Sequence, residues 1–123
     1  MTRGRGPVRR RWRDYETPAG HRPVRDFISS LPEGDAAEIA AAMKEVAMQG
    51  FVLARHLRGE IWEVRAFSET KGYRILFAPE GSKGRILLAL DAFAKKTQKT
   101  PERLLQLAER RLADWRRRGK RMR

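Results

Sequence analysis

Residues 60–67 read E-I-W-E-V-R-A-F, and their side chains alternate in character with a period of two. Such alternation predicts a β-strand that presents different side chains on its two faces. One face would carry Trp62, Val64 and Ala66, and the other would carry Ile61, Glu63, Arg65 and Phe67. The strand therefore turns an apolar face toward a core and keeps its charged groups on the opposite side of a sheet.

Two further segments extend this strand into a sheet. Residues 73–78, Y-R-I-L-F-A, follow a turn-like S-E-T-K-G and also alternate, with Tyr73, Ile75 and Phe77 opposite Arg74, Leu76 and Ala78. A second turn leads to residues 85–93, R-I-L-L-A-L-D-A-F, a run apolar enough for a strand buried on both faces. Three successive strands with short connections predict an antiparallel meander.

Two helices are predicted before the meander. In the first, a proline suited to the opening turn precedes apolar residues at the spacing of one helical face, namely Val24, Phe27, Ile28 and Leu31. The second spans residues 35–49, with a capping box at Asp35 and Glu38 and a stop at Gly50. A short strand at residues 12–17 would precede both helices.

A third helix is predicted after the meander. Thr100 would be its N-cap, Pro101 its first residue and Trp115 about its last. The order β-α-α-β-β-β-α indicates an α+β fold: a small twisted antiparallel sheet with two N-terminal helices packed on one face, and a C-terminal helix. We expect the other face of the sheet to be open and lined by the basic side chains of the strands.

Composition limits the function classes. The 123 residues suffice for one domain, 1–123. With no cysteine and two histidines, neither a thiolate centre nor a histidine-rich metal site is expected, and we predict no metal and no other cofactor. No apolar run approaches the roughly 20 residues that cross a bilayer, so we expect a soluble, cytoplasmic protein without membrane contact.

The net charge of +13 is concentrated in particular segments. Residues 1–13 hold six arginines and residues 116–123 hold six lysines or arginines, with no acidic residue in either segment. We read 1–11 and 116–123 as basic tails, the second disordered or frayed beyond the last helix. Residues 51–100 hold ten basic and five acidic side chains, so the strands and the loop after them are also basic. Polyanions are the expected partners.

Three strings carry a resemblance to a known family: H-L-R-G-E-I-W-E-V-R at 56–65, G-Y-R-I-L-F at 72–77 and A-F-A-K-K-T-Q-K-T-P-E-R at 92–103. In this order and spacing they resemble the RelE/ParE toxin superfamily, and most closely its HigB-like, phage-derived branch. The resemblance covers roughly residues 12–115 and implies a RelE-like fold, which agrees with the order of elements read from the residues.

The resemblance implies a toxin of a type II toxin-antitoxin system. Such a toxin is a ribosome-dependent mRNA endonuclease, or mRNA interferase, that works in the cytoplasm without metal. Its partners would be mRNA, the ribosome with its 16S rRNA, and a cognate antitoxin, usually a helix-turn-helix protein in HigB-like systems. Two alternatives stay open: a ParE-like, non-enzymatic inhibitor of DNA gyrase, and a basic nucleic-acid-binding protein that has lost catalysis.

Metal-free RNA cleavage needs a base near the ribose 2′-hydroxyl, cations at the phosphate and an acid for the leaving oxygen. The resemblance places Arg65, Arg74, Lys95 and Lys96 at the phosphate. Proton transfer would fall to His56 or to a lysine. The remaining predicted RNA contacts are Arg55, Arg58, Lys71, Phe93 and Lys99. Phe93 is most simply a core aromatic, and its alternative role, near the cationic patch, is to stack on a base.

Overall fold

The computed structural model of the protein describes residues 9–121, with side chains as far as residue 119. Residues 1–8 of the predicted N-terminal tail lie outside the described part, as do residues 122 and 123. The elements, in chain order, are β1 (Arg11–Asp14), α1 (Pro23–Ser29), α2 (Glu33–Gln49), β2 (Arg55–Arg58), β3 (Ile61–Phe67), β4 (Gly72–Glu80), β5 (Ile86–Ala94) and α3 (Glu102–Arg121). The α+β class and the three predicted helices are confirmed.

The five strands form one open sheet in the order β1-β5-β4-β3-β2. Strands β2 to β5 pair with their neighbours in antiparallel fashion, as the meander predicts. Strand β1, however, runs parallel to β5, with Trp12 opposite Leu87. The prediction of an antiparallel sheet is therefore wrong at this edge, and the sheet is mixed. Helices α1 and α2 lie between β1 and the meander in sequence, so β1 reaches β5 through a long crossover connection.

Strand β2 was not predicted from the sequence. Its four residues, R-H-L-R, show no apolar alternation, and only its pairing with β3 makes it a strand. Arg55 lies opposite Glu63 and His56 lies opposite Trp62. This pairing puts Arg55 on the same face of the sheet as Glu63. His56 lies on the other face, with Trp62.

Helices α1 and α2 cover one face of the sheet, as predicted. The core between them contains the apolar side chains of β3 and β4 that alternate with the charged ones, including Val64, Tyr73, Ile75 and Phe77. Trp12 adds an edge-to-face contact with Phe77 at 5.0 Å between ring centroids, and its indole nitrogen donates to the carbonyl of Met43. The alternation of residues 60–67 is thus correctly assigned.

The second face of the sheet is not open. Helix α3 packs on it and builds a second core from Leu105, Ala108 and Leu112 of the helix and from apolar side chains of the sheet, which are Tyr15, Ile61, Leu76, Ala78, Leu88 and Leu90. The expectation of an uncovered basic face is therefore wrong. The physical reason is that α3 is strongly amphipathic, and its apolar stripe has to be buried against another element.

Helix boundaries differ from the predictions at two helix starts. Helix α2 begins at Glu33, two residues before the predicted capping box, and Asp35 instead accepts a hydrogen bond from the hydroxyl of Tyr73. The amides of Leu104 and Leu105 both donate to the carbonyl of Pro101, so the first turn of α3 is closed there and not at Thr100. Both predicted cap side chains are used in tertiary contacts instead.

Helix α3 also continues to Arg121, beyond the predicted end near Trp115. Arg116 bridges Glu60 and Glu80 with contacts of 2.7 and 2.5 Å, and Arg118 contacts Asp114 at 2.8 Å. The expectation that residues 116–121 are frayed is therefore wrong, because these ion pairs tie the last turns to the sheet and to the helix itself. Within the described part of the chain, no helix has the length and apolar character that crossing a membrane requires.

Candidate nucleic-acid site

The basic side chains of the strands gather at one corner of the sheet, where β3 and β5 end and β4 begins. On the face that carries α3, Arg65 lies opposite Arg74, and Arg74 lies opposite Phe93. One row further out, Phe67 lies opposite Gly72, and the amide of Lys95 donates to the carbonyl of Gly72 at 2.8 Å. Residues from three strands therefore meet within two rows of the sheet.

Arg74 is the buried centre of this corner, with only 1% of its surface exposed. Its Nη1 donates to Oγ1 of Thr100 at 3.0 Å, and its Nη2 donates to the carbonyl of Gln98 at 2.5 Å. Its Nε lies 3.6 Å from Oε1 of Glu63, within ion-pair distance but too far for a hydrogen bond. The guanidinium thus holds the loop that precedes α3 against β4, and it is closed off from direct contact with a ligand.

Glu63 is shared between the two arginines. It is 1% exposed, and its Oε1 accepts a hydrogen bond from the hydroxyl of Thr100 at 3.1 Å. Its Oε2 accepts from Nε of Arg65 at 3.0 Å, which holds that guanidinium by one edge. A buried carboxylate between two guanidinium groups leaves a net positive charge, and only Arg65, whose side chain is 35% exposed, presents that charge to solvent.

Lys95 and Phe67 flank Gly72. A Cβ on Gly72 would lie 3.3 Å from Cε1 of Phe67 and 3.6 Å from Cδ of Lys95, so both side chains pass over the glycine. Phe67 is 60% exposed and Lys95 is half-buried. Arg65, Phe67 and Lys95 thus form a partly exposed cluster, called here the corner cluster, beside the buried group of Glu63, Arg74 and Thr100.

A groove of about 600 Å³ runs along the other side of the loop, between the end of β5 and the start of α3. Its basic side chains are Lys96, Lys99 and Arg103, and Phe93 contributes to its floor. The carboxylate of Asp91 at the groove contacts Arg111 at 3.3 Å, and burial raises the pKa of this group above its usual value while Arg111 acts to lower it. Lys95 and Lys96, adjacent in sequence, therefore face two different surfaces.

The remaining predicted residues are distributed more widely. Arg55 is exposed on the face of the corner cluster, and Lys71 is exposed in the β3–β4 turn at the same end of the sheet. Arg58 instead bridges Glu102 and Glu109 of α3 at 2.8 and 2.9 Å. His56 lies on the opposite face, with its Nε2 2.7 Å from the carbonyl of Gly59 and its ring beside Trp62. The structure brings neither Arg58 nor His56 to the corner cluster.

Sequence reasoning missed two residues. Phe67 lies in the corner cluster, whereas Phe93, the candidate for stacking on a base, is partly buried against the second core. Arg103 lines the groove from the first turn of α3. For Phe67 a signal was present, because the residue shares the parity of Arg65 in a strand whose other face is the apolar one. For Arg103 only the path of the loop brings it near Lys96 and Lys99.

The arrangement suits a phosphodiester. Arg65 and Lys95 offer oriented donors to phosphate oxygens, while Lys96, Lys99 and Arg103 continue the positive charge into the groove. Glu63, the carboxylate that contacts Arg65, is already bound to Arg74 and Thr100 as well, and Asp91 at the groove is paired with Arg111. An anion can therefore approach the corner without meeting a free carboxylate from this group.

No curated protein matches this chain. A family model does match it, over residues 26–113, and the family is described as phage-derived protein, Gp49-like (DUF891). The matched segment runs from α1 through all of β2 to β5 and most of α3, so it includes the corner cluster, the buried group beside it and the groove. On this match over more than half of its length, the chain belongs to the Gp49-like family of phage-derived proteins.

Proposed function

We propose that this protein is the toxin of a type II toxin-antitoxin system and cleaves mRNA on the ribosome as a metal-independent endoribonuclease of the HigB/RelE kind. The observation that carries the proposal is the corner cluster, where Arg65 and Lys95 present positive charge beside a buried Glu63–Arg74–Thr100 group. The family supports it too, since Gp49-like proteins are related to toxins of the RelE/HigB type.

In this mechanism the 2′-oxygen of the ribose attacks the adjacent phosphorus, and the bond from phosphorus to the 5′-oxygen breaks. The products are a 2′,3′-cyclic phosphate and a 5′-hydroxyl. Arg65 and Lys95 stabilise the negative charge that builds on the phosphate, a contribution of about 3–4 kcal/mol for one well-placed donor. Arg74 is a positioning residue, since its guanidinium holds the loop 95–100 and does not reach the surface.

Proton transfer is assigned to a lysine of the corner rather than to His56. One proton leaves the 2′-hydroxyl for a base, and another reaches the 5′-oxygen from an acid. His56 projects from the opposite face of the sheet and its Nε2 contacts the carbonyl of Gly59, so it is out of reach of a phosphate bound at Arg65. Lys95 lies over Gly72 in the corner cluster, so it is the lysine to which we assign the proton transfer, whereas Lys96 lines the groove.

The proposed partners follow from this activity. They are mRNA in the ribosomal decoding site, the 16S rRNA around it and an antitoxin, for which a helix-turn-helix protein is the expected type. Exposed cations outside the corner, such as Arg55 and Lys71, would contact RNA backbone and contribute to a salt-dependent encounter. We place the activity in the cytoplasm, where the ribosomes are.

The test is induction of the protein in a bacterial host, followed by mapping of transcript ends. Codon-phased cuts with 5′-hydroxyl ends are expected, and these ends are ligated only after treatment with a polynucleotide kinase. Arg65→Ala combined with Lys95→Ala should abolish the cuts, while Arg85→Ala, an exposed arginine at the start of β5 and the far end of the sheet, should not. Growth arrest with DNA breaks and intact transcripts would instead identify a gyrase inhibitor. A harmless, RNA-binding protein would fit the non-catalytic alternative.

A further inference from the structure

Phe67 is the most exposed aromatic side chain of the corner, with 60% of its surface accessible. The residue ends β3 on the face that carries Arg65, and its ring belongs to neither core. A single exposed apolar residue needs no special reason on a protein surface. The residue across from it, however, is unusual for a strand.

Gly72 is that residue, and it makes room for the ring. Its backbone does not lie in the left-handed region, so the strand conformation itself does not demand glycine. Gly72 is the first residue of β4. Glycine in a strand is unfavourable relative to alanine, and it often marks a place where something approaches the backbone closely. Here the close neighbour is Phe67: an added Cβ would lie 3.3 and 3.4 Å from two ring carbons. The glycine lets the ring come close to the backbone of β4.

Two cationic side chains lie on the same face of the sheet as the ring. Arg65 precedes it by two positions on the same face, and Cδ of Lys95 comes within 3.6 Å of the site of the missing Cβ. Two carbons of the ring therefore lie against the backbone at Gly72, the two cations share its face of the sheet, and 60% of the residue's surface stays accessible to a planar group. Aromatic platforms flanked by cations are how proteins hold single-stranded nucleic acids, because each nucleotide has a flat base next to an anionic phosphate.

We infer that Phe67 is a base-stacking platform, on which one base of a single-stranded RNA lies while Arg65 and Lys95 hold its phosphate. This inference deepens the proposed function and rests on it for the identity of the RNA. A phenylalanine ring donates no hydrogen bond to a base edge, so the platform accepts any base. It sets the position of the nucleotide beside the reactive phosphate and does not select a sequence.

The experiment measures binding of the full chain to a labelled single-stranded oligoribonucleotide and to a matched strand with one abasic ribose, at low salt, by fluorescence anisotropy. Wild-type protein should prefer the complete strand, because only that strand supplies a base at every position. Phe67→Ala should weaken binding of the complete strand by about 5- to 150-fold, the range for loss of one stacked base, and should remove the preference over the abasic strand. Phe67→Trp should retain both the affinity for the complete strand and the preference over the abasic strand.

Two further variants separate stacking from general effects. Gly72→Ala should weaken the preference for the complete strand, because its Cβ displaces the ring, while leaving the cations in place. Met48→Ala, which removes a comparably exposed apolar side chain (53% accessible) on α2, should change nothing. Equal binding of both strands by the wild type, or a preference that survives Phe67→Ala, overturns the inference and leaves the ring for a protein partner.

Failure of this inference is distinguishable from failure of the proposed function. Transcript cuts that persist at the wild-type rate in Phe67→Ala, together with an unchanged strand preference, would contradict base stacking on Phe67 and support the endonuclease activity. A strand preference that depends on Phe67, in a protein that produces no transcript cuts, would support base stacking on Phe67 and contradict the endonuclease activity.

Discussion

Nη1 of Arg74 donates to Oγ1 of Thr100 at 3.0 Å, although the two residues lie 26 positions apart in the chain. This contact joins the middle of the sheet to the last residue of the loop that precedes Pro101. Both side chains are buried, and the same hydroxyl donates onward to Glu63. The positions of the loop lysines, which are Lys95, Lys96 and Lys99, therefore depend on the buried pair of Arg74 and Glu63.

Replacing Arg74 with alanine should destabilise the protein rather than simply remove a phosphate contact. Glu63 would stay buried with only Arg65 and Thr100 beside it, and breaking a buried ion pair from one side typically costs about 3–5 kcal/mol. Urea unfolding monitored by tryptophan fluorescence measures the change. Arg65→Ala is the matched control and should cost about 1 kcal/mol or less, since that side chain is partly exposed. Equal losses in the two variants would contradict the assignment of Arg74 as the buried member.

Thr100→Val tests the hydroxyl that bridges Arg74 and Glu63. The substitution keeps the shape of the side chain but leaves one buried nitrogen and one buried oxygen without their partner, which should lower the free energy of unfolding by about 1–3 kcal/mol. Thr100→Ser should retain most of the stability. Amide hydrogen exchange of residues 95–100 should accelerate in the valine variant only. Unchanged exchange there would mean that the loop is held in some other way.

Much of the fold was predictable because the spacing of apolar residues and the helix-ending glycine are local features of the sequence. The alternation in β3 and β4 assigns each side chain to the correct face, and Gly50 ends α2 where expected, with a backbone φ of 90°. What local pattern cannot contain is a partner that is distant in sequence. The parallel pairing of β1 with β5 exists through such a partner. Strand β2 lies immediately before β3, but its four residues show no apolar alternation, so the pairing with β3 alone makes it a strand.

The candidate site shows the same limit more sharply. Thr100 followed by Pro101 is a good local signal for a helix start, but the hydroxyl finds stronger partners in a buried arginine and a buried carboxylate. Arg74 reads as a solvated strand residue or a ligand contact only while its face is taken as open. Once α3 covers that face, the arginine becomes buried, and Arg65 at its edge remains the exposed one.

Arg65 should contribute one phosphate contact to RNA binding. For single-stranded RNA the logarithm of the binding constant falls with the logarithm of salt concentration by about 0.7 for each neutralised phosphate. Arg65→Ala should therefore reduce this slope by about 0.7, and Arg85→Ala, at the far end of the sheet, should leave it unchanged. The measurement is a salt titration of oligoribonucleotide binding. If both variants lower the slope equally, the charge acts diffusely and the corner has no special part in holding the strand.

Asp114 should make stability fall in acid. The hydrogen bond from the Tyr15 hydroxyl, with further help from Arg118, holds the pKa of this carboxyl below its usual value. The folded protein therefore binds this proton less tightly than the unfolded chain does. The ionised group stabilises the fold at pH values above the unfolded pKa, and this contribution is lost as pH falls through the folded pKa. The free energy of unfolding should drop below about pH 4, and Asp114→Asn should make that drop shallower.

Asp91 should change the pH dependence of the free energy of unfolding in the opposite direction to Asp114. Burial raises the pKa of this carboxyl, so the folded protein binds its proton more tightly than the unfolded chain, and protonation in acid favours the fold. Asp91→Asn removes that compensating gain and should make the decline in acid steeper, whereas Asp114→Asn makes it shallower. Urea unfolding at a series of pH values between about 2 and 7 compares the slopes of the two variants with that of the wild type. A steeper decline for Asp114→Asn would mean that the contact with Tyr15 does not lower the proton affinity of Asp114 in the folded protein. A shallower decline for Asp91→Asn would mean that burial does not raise the proton affinity of Asp91.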